Sequence, residues 1–147
     1  MNILDFTLTF IKPDAFRYHE EIFALIQKKG FTLVEIGKKV ILTKEQAEIF
    51  YAEHQEKLFF ENLITFTCSG PIVAAIFSKK NAIDDFRKLI GATNPANADE
   101  GTIRKLYGNP ELYAQGIPAN AIHGSDSDQN VLREIAFFFS RAKLNTM

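Results

Sequence analysis

Residues 71–77, PIVAAIF, are an unbroken apolar run introduced by the turn residues of SGP at 69–71. The length suits a strand, and the lack of polar alternation marks one buried on both faces. No other stretch constrains the fold so strongly, because a two-sided strand needs strands beside it and apolar cover above and below. DFTLTFI (5–11) alternates and is rich in Phe, Thr and Ile, which reads as a second strand; FTLVEIGKKVIL (31–42) is β-branched and reads as a third. Between those two, Pro13 suits the first turn of a helix carrying Ile22, Phe23, Leu25 and Ile26 at helical spacing, and Gly30 stops it.

Further helices follow. TKEQ (43–46) is a capping box, with Thr43 as N-cap and Gln46 reaching back, and predicts a helix to Glu53. FFENLITFTC (59–68) reads as a second helix of the pair, although its Thr and Phe content also suits a strand. KNAIDDFRKLIG (80–91) is amphipathic and closed by Gly91. From 92 to 119 the chain changes character: ATNPANADEG, YGNPEL and QGIPAN hold three of the five prolines, and only DEGTIRKLY suits a short helix. So long an irregular stretch in a compact domain is usually functional or mobile. Ser127 or Asp128 can cap a last helix with an apolar arc of Val131, Leu132, Ile135, Phe138 and Phe139. Strands alternating with helices over 147 residues point to one domain, residues 1–147, of α/β or α+β class.

Charge limits the partners. With 17 basic and 18 acidic residues the formal net charge is -1, so no global field draws nucleic acid or an anionic membrane. Any anion must be held by a local cluster. Apolar residues make up 46% of the chain, and the 14 phenylalanines can supply much of a core. The one cysteine, Cys68, excludes an intrachain disulfide and reads as a small buried hydrophobe in a reducing compartment. MNILDFTLTF lacks the basic and apolar regions of a signal peptide. No run approaches the ~18 apolar residues of a membrane span. The expectation is a soluble, cytoplasmic protein.

Neither common glycine-rich phosphate cradle, GxxxxGK[ST] or GxGxxG, is present, so side chains would have to hold any phosphate. Lys12 ends the first strand beside a helix start, a favoured place for a site. Arg87 lies on the helix before the irregular region, Thr93 opens that region and Arg104 sits inside it. Each also reads as a solvated surface group. His19 and His54 lie in polar helical surroundings and read as solvated. His123 differs. In NAIHGSDSDQN (120–130) it follows Ala121-Ile122, a strand end, and precedes Gly124, which permits close backbone approach or an unusual dihedral. Ser125 and Asp126 then turn the chain.

No HxxEH, HExxH or paired cysteine accompanies His123, so spacing gives no metal site. A Ser-His-Asp triad fails too, since its members converge from separate elements rather than from neighbouring positions. A nucleophilic role remains. Imidazole, with an ordinary pKa of about 6.5, is largely neutral near pH 7 and can attack phosphorus. It then needs an acceptor on its other nitrogen. Glu134 flanks the last helix's apolar arc beside Val131 and Phe138, where a carboxylate should find a partner. A glutamate bordering a core helix and reaching solvent fits the same position.

NAIHGSDS closely resembles the active-site signature of the nucleoside diphosphate kinases. It is joined in order by IKPDAF (11–16), FYAEHQEKLFF (50–60), SGPIVA (69–74), FRKLIGATNP (86–95), GTIR (101–104) and REIAFFF (133–139), so the resemblance covers nearly the whole chain. It implies a ferredoxin-like α/β sandwich, with helices on an antiparallel four-stranded sheet. His123 would be phosphorylated through its δ nitrogen, with Glu134 orienting the ring and Ser125 bonding beside them. Lys12 would contact the transferring phosphate, with Tyr51 close by. Arg87, Thr93 and Arg104 would bind the nucleotide's phosphates. Phe59 would stack on the base, with Leu63 nearby, and Asn120, Lys12 and Thr93 would bond the sugar. Mg2+ would be held mainly by the phosphates, with Asp126 meeting it through water and no dedicated protein cage. The partners implied are nucleoside di- and triphosphates and further copies of the chain, with a dimer as basic unit; neither nucleic acid nor membrane is required.

The chain departs from the family between Arg104 and Asn120, where KLYGNPELYAQGIPA is several residues longer than usual and begins with Lys105. In the family this loop shapes the site and the contacts that build hexamers. The longer tail that often braces neighbouring subunits is also expected to be missing, since the chain stops at LNTM. Dimer, tetramer and hexamer stay open. The rival reading is a nucleotide-binding regulatory module of the same fold with little turnover.

Overall fold

Strand β1 (Asp5–Ile11) is the inner spine of a four-stranded sheet of order β2-β3-β1-β4, with β2 at Thr32–Ile36, β3 at Val73–Lys79 and β4 at Ile122–Gly124. The computed structural model describes residues 5–139. Every pairing is antiparallel. A 3-10 turn (Pro13–Tyr18) and helix α1 (His19–Lys28) link β1 to β2. Helices α2 (Lys44–Phe50) and α3 (Phe60–Thr67) precede β3, and α4 (Ala82–Ile90) follows it. The chain then forms α5 (Ile103–Tyr107) and α6 (Pro110–Ala114), enters β4 and ends in α7 (Asp128–Phe139). With α2, α3, α5, α6 and α7 set aside as additions, this is the ferredoxin-like order of strands and helices.

The sheet has apolar cover on both faces, as PIVAAIF requires. Period-two alternation sends Leu8, Phe10, Ala74 and Ile76 into one core with α2, α3 and α7. It sends Ile11, Val73, Ala75 and Phe77 into a second core with α1 and α4. The expected strand over 31–42 is shorter in the structure. A register shift between Leu33 and Glu35 bends β2, and its ladder ends at Ile36, with one isolated bridge, Val40–Ile72, beyond. The intervening Lys38-Lys39 suits a sheet edge that leaves its neighbour.

The capping box forms: Gln46 N–H donates to Thr43 Oγ1 (3.1 Å) and Thr43 N–H to Gln46 Oε1 (2.9 Å). Helix α2 nevertheless stops at Phe50, and a 3-10 turn, Ala52–His54, replaces its expected last turn. Residues 60–67 are helical, which settles the ambiguity there. The irregular region holds one helix more than expected. In YGNPEL, Asn109 accepts from Leu112 N–H (3.0 Å) and Pro110 starts α6, so residues read as loop markers are helix-start signals.

Three side-chain readings also change. Leu132 is 73% exposed while Phe137 is buried. The buried stripe of α7 is centred on Glu134, a polar residue that a count of apolar positions passes over. Cys68 is only partly buried, at the margin of the first core; burial, then Glu48, pushes its thiol up. Neither His19 nor His54 is simply solvated: His19 Nδ1 bonds the Phe16 carbonyl (2.8 Å) and its ring stacks on Phe16, and His54 lines the cavity described below. The LNTM end lies outside the described residues.

Candidate active site

Register places the nucleophile candidate. His123 on β4 stands opposite Phe10 on β1, so both rings project from the same face of the sheet, the one α7 covers. Phe10 stacks on the imidazole (centroids 5.1 Å apart, planes 19° apart), and Phe50 meets it edge-on at 5.3 Å. These contacts leave the ring little freedom. Glu134 of α7, 2% exposed, closes the arrangement: its Oε1 lies 2.8 Å from His123 Nε2. An ionised carboxylate only accepts, so in the neutral ring Nε2 carries the proton and Nδ1 the free lone pair.

The buried carboxylate is well supplied with donors. Ser125 Oγ–H donates to Glu134 Oε1 at 2.7 Å, and Leu8 N–H donates to Ser125 Oγ at 3.2 Å, tying the group to β1. Arg133 approaches Glu134 Oε2 at 3.5 Å while donating to the Phe50 carbonyl at 3.0 Å. From the sequence Arg133 had no role beyond opening REIAFFF. Gly124 follows the histidine for want of space: a Cβ there would lie 3.0 Å from both Ile90 and Phe86.

His123 opens onto a cavity of about 320 Å³, also lined by Lys12, Tyr51, Phe59, Leu63, Thr93, Arg104 and Asn120. Lys12, only 5% exposed, is lowered to about 7 by burial and then by Arg104, an effect Asp14 opposes. Arg104 is anchored by donation to the carbonyls of Gly91 (3.0 Å) and Ile122 (2.9 Å); burial, then Arg87, lowers it to about 10. Asn120 donates to the Thr93 carbonyl at 2.9 Å. Tyr51 Oη, Arg104 Nε and Asn120 Oδ1 are buried without a hydrogen-bond partner, which suits a polar ligand. At the far end Phe59 leaves 48% of its surface in solvent above a nearly buried Leu63.

Two of the sequence candidates, Glu134 and Ser125, stand behind His123 rather than on the cavity wall, and Arg87 lies exposed on α4. Arg87's charge still reaches Arg104 and Asp126. Asp126 is exposed, and the Asn130 amide foremost holds its carboxyl below the usual range. Sequence reasoning missed His54, Asn62, Tyr113, Ile117 and Pro118, which with Gly116 complete the wall. All but His54 come from, or bond to, the lengthened 105–119 segment, where Asn62 Nδ2 donates to the Gly116 carbonyl (3.0 Å). Among the described residues no three His, Cys, Asp or Glu side chains gather as a metal cage.

The model of the family "Nucleoside diphosphate kinase" matches residues 5–144. The chain belongs to the nucleoside diphosphate kinase family. A nucleoside diphosphate kinase of Persephonella marina is 49% identical over 140 residues, 94% of this chain and 95% of its own. One of Chlorobaculum tepidum is 50% identical over 136 residues, 91% and 92% of the two chains. A crystal structure of the Aquifex aeolicus nucleoside diphosphate kinase superposes with a TM-score of 0.83 at 34% identity, covering 96% of this chain and 99% of that one. Relatives matched at such identity over nearly their whole length place the chain among phosphotransferases and do not favour the rival regulatory module. Among the described residues no helix is long and apolar enough to cross a membrane.

Proposed function

We propose that the protein moves the γ-phosphate of a nucleoside triphosphate, typically ATP, to a nucleoside diphosphate through a phosphohistidine at His123. The observation that carries this reading is the 2.8 Å contact between His123 Nε2 and buried Glu134. With Nε2–H committed to Glu134, Nδ1 attacks the γ-phosphorus. The N–P bond forms, the bond to the bridging oxygen breaks, and the diphosphate leaves with that oxygen. A second diphosphate reverses the step, so one site serves donor and acceptor in turn.

Phosphoryl transfer asks the protein mainly for positioning and charge. Lys12 and Arg104 supply buried positive charge at the cavity, and Arg87 adds to it from the rim. Tyr51 offers its phenol, which burial above all pushes up, as a hydrogen-bond donor to the phosphates. Thr93 and Asn120 offer polar groups to the phosphate and sugar, and Phe59 with Leu63 offers a stacking floor to any base. Ser125 steadies Glu134. A single ionised carboxylate at the rim, Asp126, fits Mg2+ that takes most of its ligands from phosphate and water. When bound, the ion neutralises charge on the phosphate oxygens.

The same reading has the chain act as one domain and as a homo-oligomer built on a dimer; exposed Val34 and Ile36 on the edge strand β2 support a covered edge. Light scattering with size exclusion tests the assembly. A lone free thiol, Cys68, supports a cytoplasmic setting. Incubation with γ-labelled ATP and magnesium should give an acid-labile phosphoprotein that added diphosphate discharges. His123→Ala should abolish the label and keep nucleotide binding; retained turnover sinks the mechanism.

A further inference from the structure

Asp14 takes no part in the mechanism above, yet it holds the residue two places before the nucleophile. Ala121 is fully buried with φ of +75°, a left-handed conformation that an alanine rarely adopts. Both of its backbone polar groups are tied to the turn after β1. Ala121 N–H donates to Asp14 Oδ2 at 3.1 Å, and Lys12 N–H donates to the Ala121 carbonyl at 2.8 Å. A disfavoured conformation persists only where its surroundings over-determine it. This one separates Asn120, on the cavity wall, from Ile122 and His123 on β4, so its angle decides where both functional side chains point.

The second Asp14 oxygen, Oδ1, is buried without a hydrogen-bond partner. The charges that act on Lys12 are Arg104 from α5, which repels it, and Asp14, which attracts it. Tyr51 and His123 share the cavity with Lys12 but bring no negative charge of their own, and Glu134 is occupied by His123 and Ser125. Asp14 is thus the nearby counter-charge for an ammonium in a buried site.

We infer that Asp14 is a positioning residue of the phosphotransfer site: it pins Ala121 in its left-handed turn, aligning Asn120 and His123, and supplies the negative charge that keeps Lys12 cationic. The mutual effect of the pair supports this. Burial raises Asp14 to about 6, and Lys12 opposes that rise as Asp14 opposes the fall of Lys12. Each charge therefore favours the other, most of all between about pH 6 and 7, and removing the carboxylate lets Lys12 lose its proton at lower pH. The inference rests on the assignment of His123 and Lys12 made above.

Single-turnover phosphorylation of the full chain by ATP and magnesium, followed across pH, tests both halves. Asp14→Asn keeps the size and an oxygen for Ala121 N–H but removes the charge. It should move the alkaline limb of the rate profile down by about one pH unit. Asp14→Ala removes the pin as well and should slow phosphorylation about a hundredfold, the scale of a 1 Å misplacement. Adding Ala121→Gly, which enters the left-handed region without strain, should restore part of that rate but not the alkaline limb. An unmoved limb in Asp14→Asn overturns the charge role. Failure of Ala121→Gly to restore any rate, in a variant folded by circular dichroism, overturns the pin. A lower melting temperature with rate and profile unchanged reduces Asp14 to a structural residue. Phosphorylation surviving His123→Ala would instead break the underlying assignment, so the two failures are distinguishable.

Discussion

Glu134 occupies the core-facing centre of α7, where an apolar side chain would ordinarily sit. A buried carboxylate is costly unless donors surround it, and here His123, Ser125 and Arg133 do so. Phe59 presents the opposite case, a large apolar ring left half in solvent although His54 and Lys57 lie against it. Phe59→Ala should weaken nucleotides of every base by ~1–3 kcal/mol, the usual worth of base–aromatic stacking, when measured by calorimetric titration. A loss confined to one base would contradict the stacking role. His123, Ser125 and Glu134 were legible because one polar run and one misfit on a helical wheel mark them. Asp14, Arg133 and Tyr113 were not, because their importance comes from contacts distant in sequence: Asp14 meets Ala121 across 107 positions. No local spacing encodes such a meeting.

Elements whose start and stop chemistry is local were readable in the same way. The capping box of α2, the closure of α4 at Gly91 and the two-sided β3 all follow from neighbours within a few residues. The length of β2 was not readable, since its ladder ends through a register shift against β3 rather than through its own composition. Helix α6 escaped because proline and asparagine mark both loops and helix starts. The corner from α4 to α5 carries its own prediction. Gly91 has φ of +89°, a Cβ there would lie 2.7 Å from Thr102 Oγ1, and its carbonyl anchors Arg104. Gly91→Ala should destabilise the fold by ~1–3 kcal/mol in urea unfolding, with loosened phosphate binding alongside. A variant as stable as the parent would show that the corner yields without strain.

Over the whole molecule, site and scaffold share one strand. β1 pairs with β3 and β4, sends Phe10 beneath the imidazole, gives Leu8 to Ser125 and leads directly into Lys12. The groups packed around His123 are held in place as long as the sheet stands. Loss of phosphoenzyme formation and loss of circular dichroism should therefore coincide along a urea titration; activity lost well before the sheet would contradict this. The same geometry bears on exchange with solvent deuterium. Amides released only by global opening exchange slowest, and they are expected in the two inner strands, β1 and β3. Strand β1 carries the ring that stacks on His123, so nucleotide should be met at a part of the molecule that breathes little, and slow exchange of the β1 amides would show it.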